Sequence, residues 1–199
     1  MIDFEIPEED RALLDSVDRM MARHFPPEEL RHADRAHETP WHLLPVMAEL
    51  GLFGLPFPQE YGGFGRDWRS VALVQERLAL HAGIAATLFG TTVSFGGMAL
   101  LTYGTPAQKR ELLPRLIRGE AKFALALTES GAGTDAGAPI TWARRTGGGW
   151  RINGRKLWIS NAGAADYLVV ACRTQASSRG SQGISMTVLD KVGHNCMLS

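Results

Sequence analysis

Cysteine is scarce in this sequence, which argues against the protein classes that depend on disulfides or on cysteine-bound metals. The 199 residues include only Cys172 and Cys196, which give neither a disulfide framework nor the spacing of a metal site. An excess of one charge is also lacking, because 21 Lys and Arg side chains balance 21 Asp and Glu. With no net charge and no basic run, we expect no nucleic-acid partner.

Long apolar runs and basic leader segments are missing as well. No stretch approaches the roughly 18 uninterrupted apolar residues of a transmembrane helix, so we expect no membrane span. The first five residues carry two acidic side chains, Asp3 and Glu5, and lack the basic region of a secretory signal. The hydrophobic fraction of 45% and the charged fraction of 21% are those of an ordinary globular protein. We therefore expect a cytoplasmic protein in a reducing compartment.

The overall neutrality hides two halves of opposite charge. Residues 1–120 hold 12 basic and 17 acidic side chains, a balance of −5, whereas residues 121–199 hold 9 and 4, a balance of +5. We predict a domain boundary there, with domains at 1–120 and 121–199. The positive second half suits a phosphate-bearing ligand, but two domains with complementary surfaces would give the same pattern.

The first half has helical periodicity. Helix starts are indicated by Pro7, by Pro40, by Asp67 as an N-cap, and by a capping box from Thr105 to Gln108. The segment 83–101 is apolar and rich in small residues, which predicts a helix packed on all sides. Histidines 32, 37 and 42 lie five apart, a spacing that places neighbours on different helix faces. We predict no metal site.

The second half has the short alternating segments of strands. We predict strands near 123–127, 140–145, 150–152, 167–171 and 184–189, and a hairpin turn at Asn153 and Gly154 whose return strand is 156–160. The fold class is therefore α+β, a helical N-terminal domain followed by an incomplete antiparallel β-barrel or sheet domain.

Two segments of this second half combine features of a ligand site. Residues 126–135 form a glycine-rich loop after a strand, in which backbone N–H groups are uncovered. Residues 156–163 (KLWISNAG) place an apolar wall beside the hydroxyl of Ser160. Each segment alone is explained at least as well by a structural turn or a core tryptophan. Together they suit a tricyclic flavin, which needs a flat apolar wall and donors to its ring carbonyls and N5.

These segments resemble the acyl-CoA dehydrogenases, flavoenzymes that desaturate acyl-CoA thioesters. Residues 126–138 (ALTESGAGTDAGA) are similar to the first signature of that family, and residues 58–63 (PQEYGG), 103–109 (YGTPAQK) and 153–162 (NGRKLWISNA) follow its order and spacing. The resemblance covers nearly the whole chain. It departs at Ser130, where the family usually has proline, and at Thr134, where it usually has serine. Neither change removes a hydroxyl or a backbone donor.

The resemblance implies FAD as cofactor and acyl-CoA as substrate. The cofactor-binding residues that it implies are Leu125, Leu127, Thr128, Gly133, Thr134, Trp158, Ile159 and Ser160. Thr134 would also contact the substrate, where flavin and acyl-CoA meet. Glycines 90, 96 and 97 would leave space for an acyl chain, although helix packing explains them equally well.

The resemblance also implies a missing part. The family's catalytic base is a glutamate of a C-terminal helical domain, so we expect a truncated chain without that base and assign no catalytic residue. Glu129 and Asp135 are the loop's carboxylates, and we expect both to be structural, with Glu129 accepting from backbone donors. Electron-transferring flavoprotein is the expected acceptor, and a homo-oligomer is expected of the complete protein.

Two other functions remain open from the sequence. One is a non-catalytic or split-enzyme subunit that needs a partner chain to supply the missing helices. The other is an oxygen-using flavin relative of the nitroalkane oxidase or monooxygenase type. Both keep the same flavin segments and differ in what reacts with the flavin.

Overall fold

The computed structural model describes residues 5–178 and 180–191. The chain divides into two compact units, Met1–Glu120 and Ala121–Ser199. Helices form the first unit and strands the second. The expected α+β order, a helical part followed by a sheet part, is confirmed.

The helical unit is built from amphipathic helices that share a core of Leu, Met, Phe and Val side chains. The helices that the structure describes are α1 (Glu8–His24), α2 (Pro27–Ala36), α3 (Leu43–Glu49), α4 (Trp68–His81), α5 (Gly83–Gly90), α6 (Met98–Tyr103) and α7 (Pro106–Ile117). A π-helical segment, Thr91–Gly97, joins α5 to α6. The result is one continuous helical stretch from Gly83 to Tyr103.

Two of the predicted helix starts are confirmed by their capping contacts. The Asp67 carboxylate accepts from the backbone N–H of Ser70 over 3.1 Å at the start of α4. At the start of α7, the N–H of Gln108 donates to Thr105 Oγ1 over 3.3 Å, and the N–H of Thr105 donates to Gln108 Oε1 over 2.9 Å. Both caps provide acceptors for backbone N–H groups that the first turn of a helix leaves unpaired.

Helix α2 was missed by the sequence analysis because its apolar face is small. None of its residues is fully buried, and the face consists of the half-buried Leu30 and Ala33, three positions apart. The usable signal was local, with Pro27 at the first helical position followed by Glu28 and Glu29 in the first turn. Both features favour a helix N-terminus.

The apolar stretch Gly83–Tyr103 differs from the prediction of a helix packed on all sides. Phe95 is 44% exposed and Tyr103 is 81% exposed. By length and composition alone this stretch is able to cross a membrane, and 56% of its most apolar window is buried inside the protein. Two of its glycines serve packing, because a Cβ at Gly97 would meet the ring of Phe57 and one at Gly90 would meet the Gln75 amide.

The sheet unit is mixed and open rather than antiparallel throughout. Its strands are β1 (Phe123–Ala126), β2 (Trp142–Thr146), β3 (Gly149–Asn153), β4 (Tyr167–Arg173) and β5 (Ile184–Asp190). β5 pairs with β4 in antiparallel register, but β1 runs parallel to β4 with Phe123 opposite Tyr167. The expectation of antiparallel pairing was wrong here, because a long connection containing β2 and β3 returns the chain in the direction of β1.

The hairpin also lies at a different turn from the one predicted. β2 and β3 pair in antiparallel register across Gly147 and Gly148, so the turn is not at Asn153 and Gly154. Residues 154–160 are not a strand. A Cβ at Gly154 would lie 2.6 Å from Thr141 Cα, so only glycine permits the close approach by which the chain leaves β3.

Candidate functional site

The two segments singled out in the sequence meet at the end of β1. The backbone N–H of Leu157 donates to the carbonyl oxygen of Thr128 over 2.9 Å. The Lys156 ammonium donates to the carbonyl oxygen of Leu127 over 2.9 Å. The glycine loop and the tryptophan segment are therefore neighbours in space, although about thirty residues separate them in the sequence.

Glu129 is buried at the junction and accepts hydrogen bonds through both carboxylate oxygens. Its Oε1 accepts from Lys156 Nζ at 2.7 Å and from the N–H of Thr141 at 3.1 Å, and its Oε2 accepts from the N–H of Ile140 at 2.7 Å. The residue is 4% exposed. The contacts place Glu129 in the structural role that we expected, as an acceptor for backbone donors.

The surroundings of Glu129 hold its carboxylate in the charged form. Burial raises the pKa of this group, but the hydrogen bonds from Lys156 and from the backbone N–H groups of Ile140 and Thr141 outweigh it and lower the pKa to about 2. A carboxylate with such a low pKa is a poor proton acceptor near neutral pH. Glu129 is therefore unsuited to replace a catalytic base.

Trp158 presents its indole ring to solvent from an unusual backbone conformation. The residue is 89% exposed and has a φ of 56°, in the left-handed region. Bulky side chains rarely adopt this region, and such outliers cluster at functional sites. Asn161 shares it, with a φ of 64°. The ammonium of Lys191 then closes the segment by donating to the carbonyl oxygens of Ala162 and Gly163.

The glycine loop offers unpaired backbone donors beside this segment. Over residues 5–178 and 180–191, no hydrogen-bond acceptor faces the N–H groups of Gly131, Gly133 or Thr134. A Cβ built at Gly131 or Gly133 would meet nothing within 4 Å. The loop is thus open to a ligand and able to donate to ring carbonyls or to an anion.

The predicted cofactor residues fall into three environments. Leu125, Leu127 and Thr128 are half-buried at the end of β1, whereas Gly133, Thr134, Trp158 and Ser160 are exposed. Ile159 differs from both groups. Its side chain packs against a buried cluster that includes Ala124, Ala126 and Leu168, so it supports the sheet.

Lys156 and Lys191 are the site residues that the sequence analysis missed. Lys156 belongs to the quoted motif, but a lysine after a turn normally indicates a solvated surface. Its side chain is only 10% exposed, and what makes it structural is the buried Glu129, which sequence does not place nearby. Lys191 lies at the end of β5, so its contact with the carbonyl of Gly163 depends on the strand pairing.

A metal centre is absent from the part of the chain that the structure describes, where no group of three His, Cys, Asp or Glu side chains is able to hold an ion. Cys172 is a free, buried thiol whose pKa is raised by burial. Cys196 lies outside the described residues.

Family models match both units of the chain. Residues 7–120 match the acyl-CoA dehydrogenase N-terminal domain, and residues 124–197 match the acyl-CoA dehydrogenase middle domain. The two matches abut at the boundary between the helical and sheet units.

Curated proteins and solved structures give the same result. The chain is 38% identical to 3-(aryl)acrylate reductase of Clostridium sporogenes, with 86% of this chain and 46% of the relative covered. It is 36% identical to the CarC subunit of the caffeyl-CoA reductase–Etf complex of Acetobacterium woodii, with 86% and 46% covered. A crystal structure of a glutaryl-CoA dehydrogenase from Mycobacterium smegmatis in complex with FADH2 superposes with a TM-score of 0.85 at 26% identity, with 93% and 46% covered.

The chain spans about half the length of the curated relatives it matches. Both of its units nevertheless match in order and over nearly their whole extent. The chain belongs to the acyl-CoA dehydrogenase family of oxidoreductases.

Proposed function

We propose that this chain forms the flavin-binding part of an FAD-dependent acyl-CoA dehydrogenase, which removes hydrogen from the α and β carbons of an acyl-CoA thioester. The observation that carries the proposal is the hydrogen bond between Leu157 N–H and Thr128 O. It brings an open glycine loop and an exposed tryptophan to one place at the end of β1.

The residues present fit an isoalloxazine ring. The indole of Trp158 is the large apolar surface that a flat tricyclic ring stacks on. The N–H groups of Gly131, Gly133 and Thr134 have no acceptor among the described residues and can donate to ring carbonyls, and the hydroxyls of Thr128 and Ser160 lie on the two joined segments. When bound, FAD supplies the acceptor for the hydride that leaves the β carbon.

Thr134 is our candidate for contact with the acyl-CoA substrate. It is exposed at the open end of the glycine loop, and its N–H has no partner within the described residues. Its position in the matched signature supports the assignment. We assign no catalytic residue, because the low pKa of Glu129 and its three hydrogen bonds make it a poor base.

The relatives favour a reaction coupled to a second flavoprotein. One relative is a subunit of a caffeyl-CoA reductase–Etf complex, so we propose electron-transferring flavoprotein as the redox partner. Because that protein and the arylacrylate reductase are named as reductases, the second candidate function is reduction of an unsaturated acyl substrate at the same site. The two candidates differ in the direction of hydride transfer.

The remaining expectations follow from this proposal. We propose that the helical stretch Gly83–Tyr103 is a core helix rather than a membrane span, since 56% of its most apolar window is buried and its glycines pack against Phe57 and Gln75. We also propose a cytoplasmic location and a homo-oligomer of the complete protein, on the strength of the family match.

The test uses the purified chain titrated with FAD and then mixed anaerobically with butyryl-CoA or crotonyl-CoA. We expect FAD to bind with perturbed visible absorption. Bleaching by butyryl-CoA supports the dehydrogenase, whereas reoxidation of dithionite-reduced flavin by crotonyl-CoA alone supports the reductase. FAD binding with activity only after a second polypeptide is added supports a split enzyme. Rapid oxidation of the dithionite-reduced flavin when oxygen is admitted, with no response to either acyl-CoA, supports an oxygen-using relative. A chain that binds no FAD contradicts the proposal.

A further inference from the structure

We infer that the buried Lys156–Glu129 ion pair is a positioning device, which fixes Trp158 against the glycine loop before any ligand binds. The part of the inference that concerns FAD affinity rests on the proposed flavin function. Its statement about Trp158 concerns the protein alone, and the two parts are tested separately.

The first argument is the number of contacts that depend on one ammonium group. Among the described residues, three hydrogen bonds join residues 127–129 to residues 156–157, and Lys156 Nζ donates two of them. The third, from Leu157 N–H to Thr128 O, belongs to the next residue along the chain. Most of the hydrogen bonds of the junction therefore depend on the position of Lys156 Nζ.

The second argument is that Glu129 connects this ammonium to the rigid sheet. Glu129 also accepts from the N–H groups of Ile140 and Thr141, and Thr141 O accepts from the N–H of Arg173 in β4 over 2.7 Å. Through these hydrogen bonds Lys156 is connected to β4, the central strand of the sheet. The segment that follows Lys156 is thereby tied to a strand in which five of seven residues are buried.

The third argument is that stability alone does not account for the pair. The side chains of Lys156 and Glu129 are 10% and 2% exposed, and a buried ion pair of this kind contributes little more than a well-packed apolar pair, because both charges are desolvated. A positioning role accounts for it, because Trp158 lies two residues after Lys156 and holds a left-handed backbone that bulky residues disfavour. Without a restraint on each side, from Leu157 N–H and from Lys191 Nζ, the segment would relax.

The chain offers a matched control in the Lys122–Asp166 ion pair. Lys122 Nζ lies 3.0 Å from Asp166 Oδ2 in the same unit, at the opposite end of β1. This pair is also formed by a lysine and a carboxylate, but it makes no contact with the glycine loop or with residues 156–160 within the described residues. Its side chains are 33% and 36% exposed, so its removal reports the cost of losing a half-exposed ion pair from the sheet unit.

The experiment compares Lys156→Met with Lys122→Met, using amide hydrogen exchange of the ligand-free chain and FAD affinity. In Lys156→Met we expect exchange at Leu157 and Ala162, the two amides of residues 157–163 that donate hydrogen bonds among the described residues, to accelerate by about tenfold or more. That is the loss expected for a charged hydrogen bond, and β4 should stay protected. FAD affinity should fall by about tenfold. Lys122→Met should change neither quantity by more than about twofold.

Two further variants keep the inference testable if Lys156→Met does not fold. Lys156→Arg retains the cation and should restore most of the protection, whereas Glu129→Gln retains an acceptor without the charge and should accelerate exchange at Leu157 and Ala162. Unchanged exchange there in folded Lys156→Met or Glu129→Gln overturns the inference, as does equal acceleration in Lys122→Met. If exchange accelerates as expected but the wild-type chain binds no FAD, the positioning device stands and the proposed flavin function fails.

Discussion

The N–H of Leu157 donates to the carbonyl oxygen of Thr128 over 2.9 Å, so the irregular segment that carries Trp158 is held at the end of β1. This bond joins two pieces of chain that belong to no common strand pair. It leaves the Trp158 indole exposed next to a loop whose backbone donors are unpaired among the described residues.

Two substitutions of Trp158 test the stacking surface of its ring and its left-handed backbone conformation separately. Trp158→Ala and Trp158→Gly should each weaken FAD binding by about tenfold, because both remove the same ring. They should differ in stability, since glycine adopts the φ of 56° without strain. We expect Trp158→Gly to unfold with a free energy about 1 kcal/mol larger than that of Trp158→Ala.

Calorimetry of the flavin and urea unfolding of the ligand-free chain measure the two effects. Equal stability of the two variants would mean that the left-handed conformation is not held in solution. Wild-type FAD affinity in both would remove Trp158 from the site.

Glu129 should contribute stability that depends on pH. Its pKa in the folded chain is about 2, below its ordinary value of 4.5, so its contribution is fully present above about pH 4.5 and is lost as the pH falls towards 2. The shift corresponds to on the order of 3 kcal/mol. Asp10 and Asp18 also have lowered pKa values and act in the same direction.

Because other carboxylates also titrate, the free energy of unfolding is measured for both wild type and Glu129→Gln from pH 6 down to pH 2.5. The quantity of interest is the wild-type value minus that of the variant. We expect this difference to shrink as the solution becomes more acidic. A difference that is constant over the whole range would show that the carboxylate is not charged and paired in the fold.

Gly154 should tolerate no side chain. A Cβ there would lie 2.6 Å from Thr141 Cα, and Thr141 is a buried residue whose N–H binds Glu129. Gly154→Ala should destabilise the chain by about 1–3 kcal/mol through overpacking. Gly148→Ala is the control, because a Cβ at Gly148 meets nothing within 4 Å. Chemical denaturation compares them, and equal losses would contradict the close approach at Gly154.

In the helical unit, Arg66 binds one buried and one exposed carboxylate, so the two contacts can be compared. It donates at 2.6 Å both to Asp10, which is 1% exposed, and to Glu9, whose side chain is 74% exposed. Asp10→Asn should cost about 2–4 kcal/mol, because it weakens a buried network that includes the Ser70 hydroxyl. Glu9→Gln should cost less than about 1 kcal/mol. Thermal unfolding that ranks the two variants in the reverse order would refute this assignment.

The sequence predicted those features that depend on local patterns. The caps at Asp67 and Thr105 depend on side chains within three residues, so local chemistry settles them. The order of helices and strands follows from periodicity in the same way. The helix α2 has no buried residue, and so the same reasoning missed it.

The features that the sequence did not predict depend on pairing over long distances. Whether β1 runs parallel to β4 is decided by the path of the chain between them, and the hairpin register is decided by the pairing of β2 with β3 across Gly147 and Gly148. The contact of Lys156 with Glu129 joins positions 27 residues apart. The resemblance identified the cofactor segments, but only the structure revealed that two lysines hold them.

Amide hydrogen exchange of the chain with and without FAD tests the flavin site most directly. We expect FAD to protect two segments, residues 130–134 and residues 157–160, and to leave the β2–β3 hairpin unchanged. Protection of only one of the two segments, or of neither, would contradict the claim that they close on the same ring.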